Sequence, residues 1–70
     1  MSRFDKERYL GLTEDRISRG EQRISRQLAL IEKLRHRHHS TDLAEDTLSA
    51  METTLRQFYK QRNTLLSLKE

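Results

Sequence analysis

The chain lacks cysteine, proline and tryptophan, and it has only two glycines among its 70 residues. Without cysteine it can form neither a disulfide nor a thiolate metal site, so its stability must come from packing. Without proline, only Gly11 and Gly20 weaken a helical pattern. No apolar run approaches the roughly 20 residues of a membrane span, and nothing near Met1 resembles a signal sequence. These absences predict a soluble, cytoplasmic protein that does not engage a membrane.

Charged residues are abundant, with 14 Lys and Arg against 11 Asp and Glu, which leaves a net charge of +3. Such polarity alone would fit a disordered chain. However, Leu, Arg, Glu, Lys and Gln dominate the composition, and all of them favour helix. No segment alternates apolar and polar residues, and no Asn-Gly or Asp-Gly hairpin turn occurs. The composition therefore predicts an all-α fold.

Apolar residues recur at every seventh position in each half of the chain. The first ladder is Leu10, Ile17, Ile24 and Ile31, and the second is Ala44, Met51, Phe58 and Leu65. A seven-residue step keeps one face of a helix toward a partner helix, as in a coiled coil. The polar segment 38–42 separates the ladders. We therefore predict one domain over 1–70, with helix 1 over about 5–37, a turn over about 38–41 and helix 2 over about 42–68.

Several polar residues are suited to begin these helices. Ser2 or Asp5 can cap helix 1. For helix 2 we favour Ser40 or Thr41 as the cap, and Asp42 with Glu45 has the spacing of a capping box.

Two long helices joined by a short loop are expected to pack antiparallel as an αα-hairpin. In that register Ile24 lies near Met51 and Leu55, and Ile17 lies near Phe58. Two helices alone leave the flanks of their apolar faces wet, so we expect two hairpins to dimerise into a four-helix bundle. The predicted interface residues are Leu10, Ile17, Ile24, Leu28, Ile31, Leu34, Leu48, Met51, Leu55, Phe58 and Leu65.

A row of arginines lies beside the apolar stripe of helix 1, within an arc of about 80° at the helical spacing of successive residues. It consists of Arg16, Arg19, Arg23 and Arg26. The row could bind nucleic-acid phosphates, which fits a pI near 9.7. Alternatively, its side chains cover the helical seam and pair with Glu45 and Glu52 across it. The modest net charge and the lack of interleaved aromatic residues favour the second interpretation.

Three histidines, His36, His38 and His39, crowd the predicted turn. Neutral imidazoles bind zinc, copper or nickel, but no third well-spaced ligand accompanies them within one chain. We therefore expect a solvated turn, with one histidine in the left-handed conformation that glycine usually adopts at a helix C-terminus. We expect no metal and no cofactor.

No catalytic motif is present. Ser18 and Ser25 have no glycine elbow, oxyanion turn or orienting acid beside them. We also expect so thin a bundle to offer no concave pocket of a few hundred Å³. The chain is therefore predicted not to be an enzyme and to have no small-molecule substrate.

Residues 14–27 contain the pattern Ile-x-x-Gly-Glu-x-x-Ile-x-x-Gln, which begins at Ile17 and ends at Gln27. This segment resembles a group of short, uncharacterised bacterial proteins, frequent among alphaproteobacteria, and the likeness continues from Thr41 to Leu66. The chain departs from them at the turn, where a glycine is common and histidines stand here. The resemblance implies a helical hairpin and brings no activity with it.

The sequence therefore predicts a non-enzymatic protein–protein interaction or self-assembly module, in the form of a homodimer or a complex with a helical partner. The alternative is a small nucleic-acid-associated regulator that binds phosphates through the arginine row.

Overall fold

The computed structural model describes residues 5–68 as two helices, α1 (Lys6–His36) and α2 (Asp42–Ser67). Those residues contain no strand, so the predicted all-α class is confirmed. Each helix begins and ends within one residue of the bounds that the sequence predicts. Gly11 lies inside α1, and the helix continues through it without a break. Neither helix, over the described residues, is long and apolar enough to cross a membrane.

The two helices run antiparallel, as contacts at both ends of the hairpin show. At the open end, the Lys6 ammonium group donates to the carbonyl oxygen of Leu68 at 2.9 Å. Beside the turn, Arg35 lies 3.3 Å from a carboxylate oxygen of Glu45. The hairpin measures 57 × 19 × 14 Å. Its smallest dimension is close to the diameter of one helix with its side chains, so the hairpin is a single layer.

The start of α1 follows the capping prediction. Asp5 is the N-cap, and its carboxylate accepts a hydrogen bond from the backbone N–H of Arg8 at 3.0 Å. This bond satisfies one of the N–H groups that have no partner within the helix. The other candidate, Ser2, lies outside the described residues.

The start of α2 has the predicted cap residue but no side-chain capping bond. Thr41 is the N-cap, as expected, but its hydroxyl contacts the carboxylate of Glu45 at 3.1 Å and caps no backbone group. Asp42 is the first residue of the helix, so it cannot serve as the cap of a box with Glu45. Asp42 and Glu45 therefore have the spacing of a capping box without forming one. The Ser40 hydroxyl accepts a 3.4 Å hydrogen bond from the Asp42 N–H instead.

The turn confirms that a histidine adopts the left-handed conformation. His38 has φ of 57°. Its N–H donates to the carbonyl of Arg35 at 3.0 Å, and the N–H of His39 donates to the carbonyl of Leu34 at 2.9 Å. This pair of bonds is the Schellman motif, which satisfies the carbonyls at a helix C-terminus. The motif ends α1 and directs the chain toward α2.

The core follows the two ladders, and its residues come from both helices. Thr13 is its most buried member, at 1% exposure, and its hydroxyl donates to the carbonyl of Tyr9 at 2.9 Å. This bond removes the cost of burying a polar group. Leu28 lies at the edge of the stripe and is 51% exposed. The buried apolar residues are Ile17, Ile31, Ala44, Leu55 and Leu65.

Two residues of α1 bring the helices close and relate them in register. A Cβ atom on Gly20 would lie only 3.2 Å from Cδ1 of Leu55, so glycine lets this leucine approach the backbone of α1. Farther along, the side-chain amide of Gln27 donates to the carbonyl of Ala44 at 2.8 Å. Both the amide and the carbonyl are partly buried, so sliding one helix along the other would break this hydrogen bond and leave them unpaired.

Replacing Gly11 by Ala should raise the free energy of unfolding by about 0.5–1 kcal/mol, because alanine loses less backbone entropy than glycine in a helix. Nothing lies within 4 Å of the added Cβ atom. Thermal unfolding followed by circular dichroism measures the gain. The matched variant Gly20→Ala should gain less, because its Cβ meets Leu55. Equal gains at the two positions would contradict the close contact at Gly20.

Candidate functional site

The two long sides of the hairpin differ, and one of them is spanned by polar pairs that join α1 to α2. We call it the bridged side. Its pairs are Tyr59–Glu21 at 2.8 Å, Arg62–Glu14 at 3.4 Å and Arg35–Glu45 at 3.3 Å. Each pair has one member on each helix, so these side chains cross the seam and cover it.

Tyr59 is the centre of the largest group on the bridged side. Its hydroxyl donates to the Glu21 carboxylate, and Arg62 lies 5.3 Å from the centre of its ring. The hydrogen bond to Glu21 raises the pKa of the Tyr59 phenol above its ordinary value, because it stabilises the neutral form. Arg62 and Glu14 continue the same cluster, so four side chains hold this side together.

The opposite side has an open groove of about 370 Å³ between the helices. None of the bridging residues lines it. On α1, Glu21 and Arg23 lie about 160° apart around the helix, which places them on opposite sides of the seam. The apolar lining is Gly20, Ala50, Met51, Leu55 and Phe58, and the polar lining is Arg16, Arg19, Arg23, Thr47 and Thr54.

The prediction that the bundle is too thin for a concave pocket of this size is therefore wrong. Gly20 has no side chain and Ala50 has only a methyl group, so the seam between the helices is deep at this level. The lining has no histidine, carboxylate, lysine or cysteine that could act as a general acid, base or strong nucleophile. The absence of enzymatic activity stays a prediction.

Three of the four arginines in the predicted row, Arg16, Arg19 and Arg23, line one edge of the open groove, whereas Arg26 does not. Arg19 lies 3.2 Å from Asp15, one turn away on the same helix. The row therefore belongs to the same site as the apolar residues of the seam, although the sequence suggested two separate features.

The predicted pairing of this row with Glu45 and Glu52 does not occur among the described residues. Glu45 contacts Arg35 and Thr41 instead. The reason is angular, because Glu52 and Glu45 lie about 160° and about 140° from Ala50 around α2, so these two carboxylates lie away from the groove. The arginine row is thus left without carboxylates from the opposite helix.

Two of the turn histidines, His36 and His38, line a second, shallower depression of about 240 Å³ together with Glu32 and Arg35. His36 lies 4.0 Å from Glu32. The positive charge of Arg35 in this lining opposes a cation. Within residues 5–68 no three histidine, cysteine or carboxylate groups come together as metal ligands.

The predicted interface residues occupy different environments. Ile17, Ile31, Leu55 and Leu65 are buried between the helices, and Leu28 is exposed. Half-buried members are Leu10, Ile24, Leu34, Leu48, Met51 and Phe58. Of the whole set, Met51, Leu55 and Phe58 line the open groove.

Sequence reasoning missed the small residues of α2 in the groove lining. Thr47, Ala50 and Thr54 recur at spacings of three and four, which places them on one side of the helix. From that spacing, together with Gly20 on α1, a groove of small residues could have been predicted.

The pKa of Tyr59 gives a pH-dependent test of the bridged side. In a Tyr9→Phe background, phenolate absorbance reports Tyr59 alone, and we expect it to titrate above the ordinary phenol pKa of about 10. Glu21→Gln should lower the pKa toward that value, and Glu52→Gln, an exposed control, should not. Because the folded-state pKa is raised, the bond stabilises the hairpin below the ordinary pKa, and this contribution is lost as pH rises through the raised one. A titration unchanged by Glu21→Gln would contradict the Tyr59–Glu21 bond.

Comparison with known proteins assigns this chain to no family. No protein-family model matches it, and neither a curated protein nor a solved structure matches it. The resemblance to bacterial helical-hairpin proteins therefore stays a prediction. What the hairpin does must follow from its own surface, on which the open groove is the candidate site.

Proposed function

We propose that the hairpin is a non-enzymatic protein–protein interaction module that buries its open groove against helices from outside the chain. The observation that carries this proposal is the groove itself, in which Met51 and Phe58 of the apolar seam remain partly open to solvent. A homodimer, in which two hairpins form a four-helix bundle, is the simplest such assembly. In that four-helix bundle, the heptad ladders of the two hairpins would pack against each other as in a coiled coil.

The area of the hairpin supports this proposal. Its accessible surface is 5973 Å², whereas a folded monomer of 8.4 kDa is expected to expose roughly 4,600 Å². A hairpin that is a single layer of helices exposes more area than a compact domain of its mass, and a standard interface covers about 800 Å² on each partner. A second layer of helices would remove such an excess from water.

The small size of the core supports the same assembly. Within residues 5–68 five apolar residues are buried, and chains of this length need association or covalent links when their core is small. The chain has no cysteine, so a disulfide cannot supply the missing stability. Because the bridged side is covered by its polar pairs, the open groove is the side on which a second layer would pack.

Light scattering across a dilution series, with helicity measured in parallel, tests self-association. We expect a mass of two chains at high concentration and loss of helicity as the dimer dissociates. Ala50→Gln should raise the concentration needed for association about tenfold or more, because the larger side chain fills the groove. Ser49→Gln is the matched control, since Ser49 is exposed and lies outside the lining. A fully helical monomer at every concentration would contradict the homodimer.

A second candidate function is binding of nucleic acid, and the placement of Arg16, Arg19 and Arg23 along one edge favours it. These residues extend over about 10 Å of helix at 1.5 Å per residue. Phosphate contacts would nevertheless leave the apolar lining unused, and they would not need the small residues on α2. The groove therefore favours a protein partner.

Fluorescence anisotropy with labelled DNA and RNA separates the two candidates. On the interaction-module proposal we expect no binding at about 50 mM salt. Binding that falls steeply with salt, and that is lost when Arg16, Arg19, Arg23 and Arg26 are all replaced by Gln, would favour the nucleic-acid function instead.

A further inference from the structure

The charge of the open groove has one sign and lies along one edge. Its lining contains three arginines and no carboxylate. Arg19 has Asp15 as a partner, and both side chains are largely exposed. Over residues 5–68, Arg16 and Arg23 take part in no ion pair. The groove thus offers an apolar surface beside a row of guanidinium groups, two of which, those of Arg16 and Arg23, have no acidic partner among the described residues.

We propose that the groove preferentially binds an acidic amphipathic helix of another protein. The apolar face of that helix would pack on Met51, Leu55 and Phe58, and its Asp and Glu residues would lie along the edge that faces the arginines. This inference rests on the proposed function, because it names the class of partner that the same groove selects.

The dimensions of the groove favour a helix. Arg16 and Arg23 are seven residues apart, which corresponds to two turns of α1. A helix that lies along this edge presents carboxylates at matching intervals when they occur at positions i, i+3 or i+4, and i+7. Apolar residues with the same spacing then enter the groove, which is a common mode of helix recognition.

The edge formed by α2 is also suited to a third helix. Thr47, Ala50 and Thr54 are small and uncharged. Small side chains let another helix backbone come near, and their lack of charge leaves all ionic selectivity to the α1 edge. The groove would therefore orient its partner, because only one edge of the bound helix gains from acidic residues.

A second copy of this chain matches the groove less well. If two grooves face each other, each brings another set of three arginines and no carboxylate. Glu14 and Glu21 are already engaged by Arg62 and Tyr59 on the bridged side. The two assemblies should therefore respond to salt in opposite directions, since screening weakens attraction to an acidic helix and relieves repulsion between arginine rows.

Two synthetic labelled helices test this proposal. Both carry the same leucine face, and they differ only along one edge, which is Glu in one peptide and Gln in the other. Binding to the full chain is measured by fluorescence anisotropy. We expect the Glu helix to bind roughly tenfold more tightly at about 50 mM salt, from three modest ion pairs. This preference should vanish at about 1 M salt.

Two triple variants test which arginines cause the preference for the Glu helix. Arg16→Gln, Arg19→Gln and Arg23→Gln together should abolish it, while the Gln helix still binds. The matched control removes two cations of α1 and one at its C-cap, all outside the lining, by Arg26→Gln, Lys33→Gln and Arg37→Gln. It should retain most of the preference. All six side chains are exposed, so each variant should keep the helicity of the parent chain.

Equal affinity for the two peptides, or equal loss in both triple variants, would overturn the proposal. Tighter binding of an oligonucleotide, unaffected by Ala50→Gln, would overturn it in favour of phosphate recognition. Dimerisation that is sensitive to Ala50→Gln, without preference for the Glu helix, would refute the acidic partner and leave the interaction module intact. If neither peptide binds and the chain is a monomer throughout, the proposed function fails as well.

Discussion

The antiparallel contact between α1 and α2 is the interaction on which the rest of the structure depends. Each helix has one apolar stripe, and each has only the other helix against which to bury it. The close approach of Leu55 to Gly20 and the bond from Gln27 to Ala44 fix how the stripes meet. Because a layer of two helices covers a stripe from one direction only, its flanks must be closed by side chains or left open. The bridged side is the flank that side chains close, and the open groove is the flank that is left open.

Electrostatics separates the two sides. On the bridged side, carboxylates of α1 meet Tyr59 and Arg62 of α2, so opposite partners close the seam. On the open side, arginines of α1 face threonine and alanine of α2, and over residues 5–68 no ion pair joins the two edges of the groove. The difference arises from where the charges lie around each helix. The carboxylates that cross the seam, Glu14, Glu21 and Glu45, fall on one flank, and the arginine row falls on the other.

Much of the fold could be predicted from the sequence, because helix limits and apolar ladders depend on local propensity and on a repeat of seven. The left-handed histidine also followed from local chemistry, as the turn has no glycine. The groove could not be predicted in the same way. Its depth depends on Gly20 and Ala50 facing one space, and therefore on the distance between the helices, which periodicity does not specify. The partners of Glu45 were missed for a related reason, since helical spacing places a residue on a flank without showing which residues of the other helix share it.

The closure of one long side has a consequence for stoichiometry. A hairpin that is open along both sides could add neighbours without limit and grow into an extended array of helices. Over residues 5–68, polar pairs cross the seam on the bridged side, and none of their members lines the groove. On the proposed function, a hairpin with its groove on one side only would bind one helix or hairpin and form a discrete complex rather than an array.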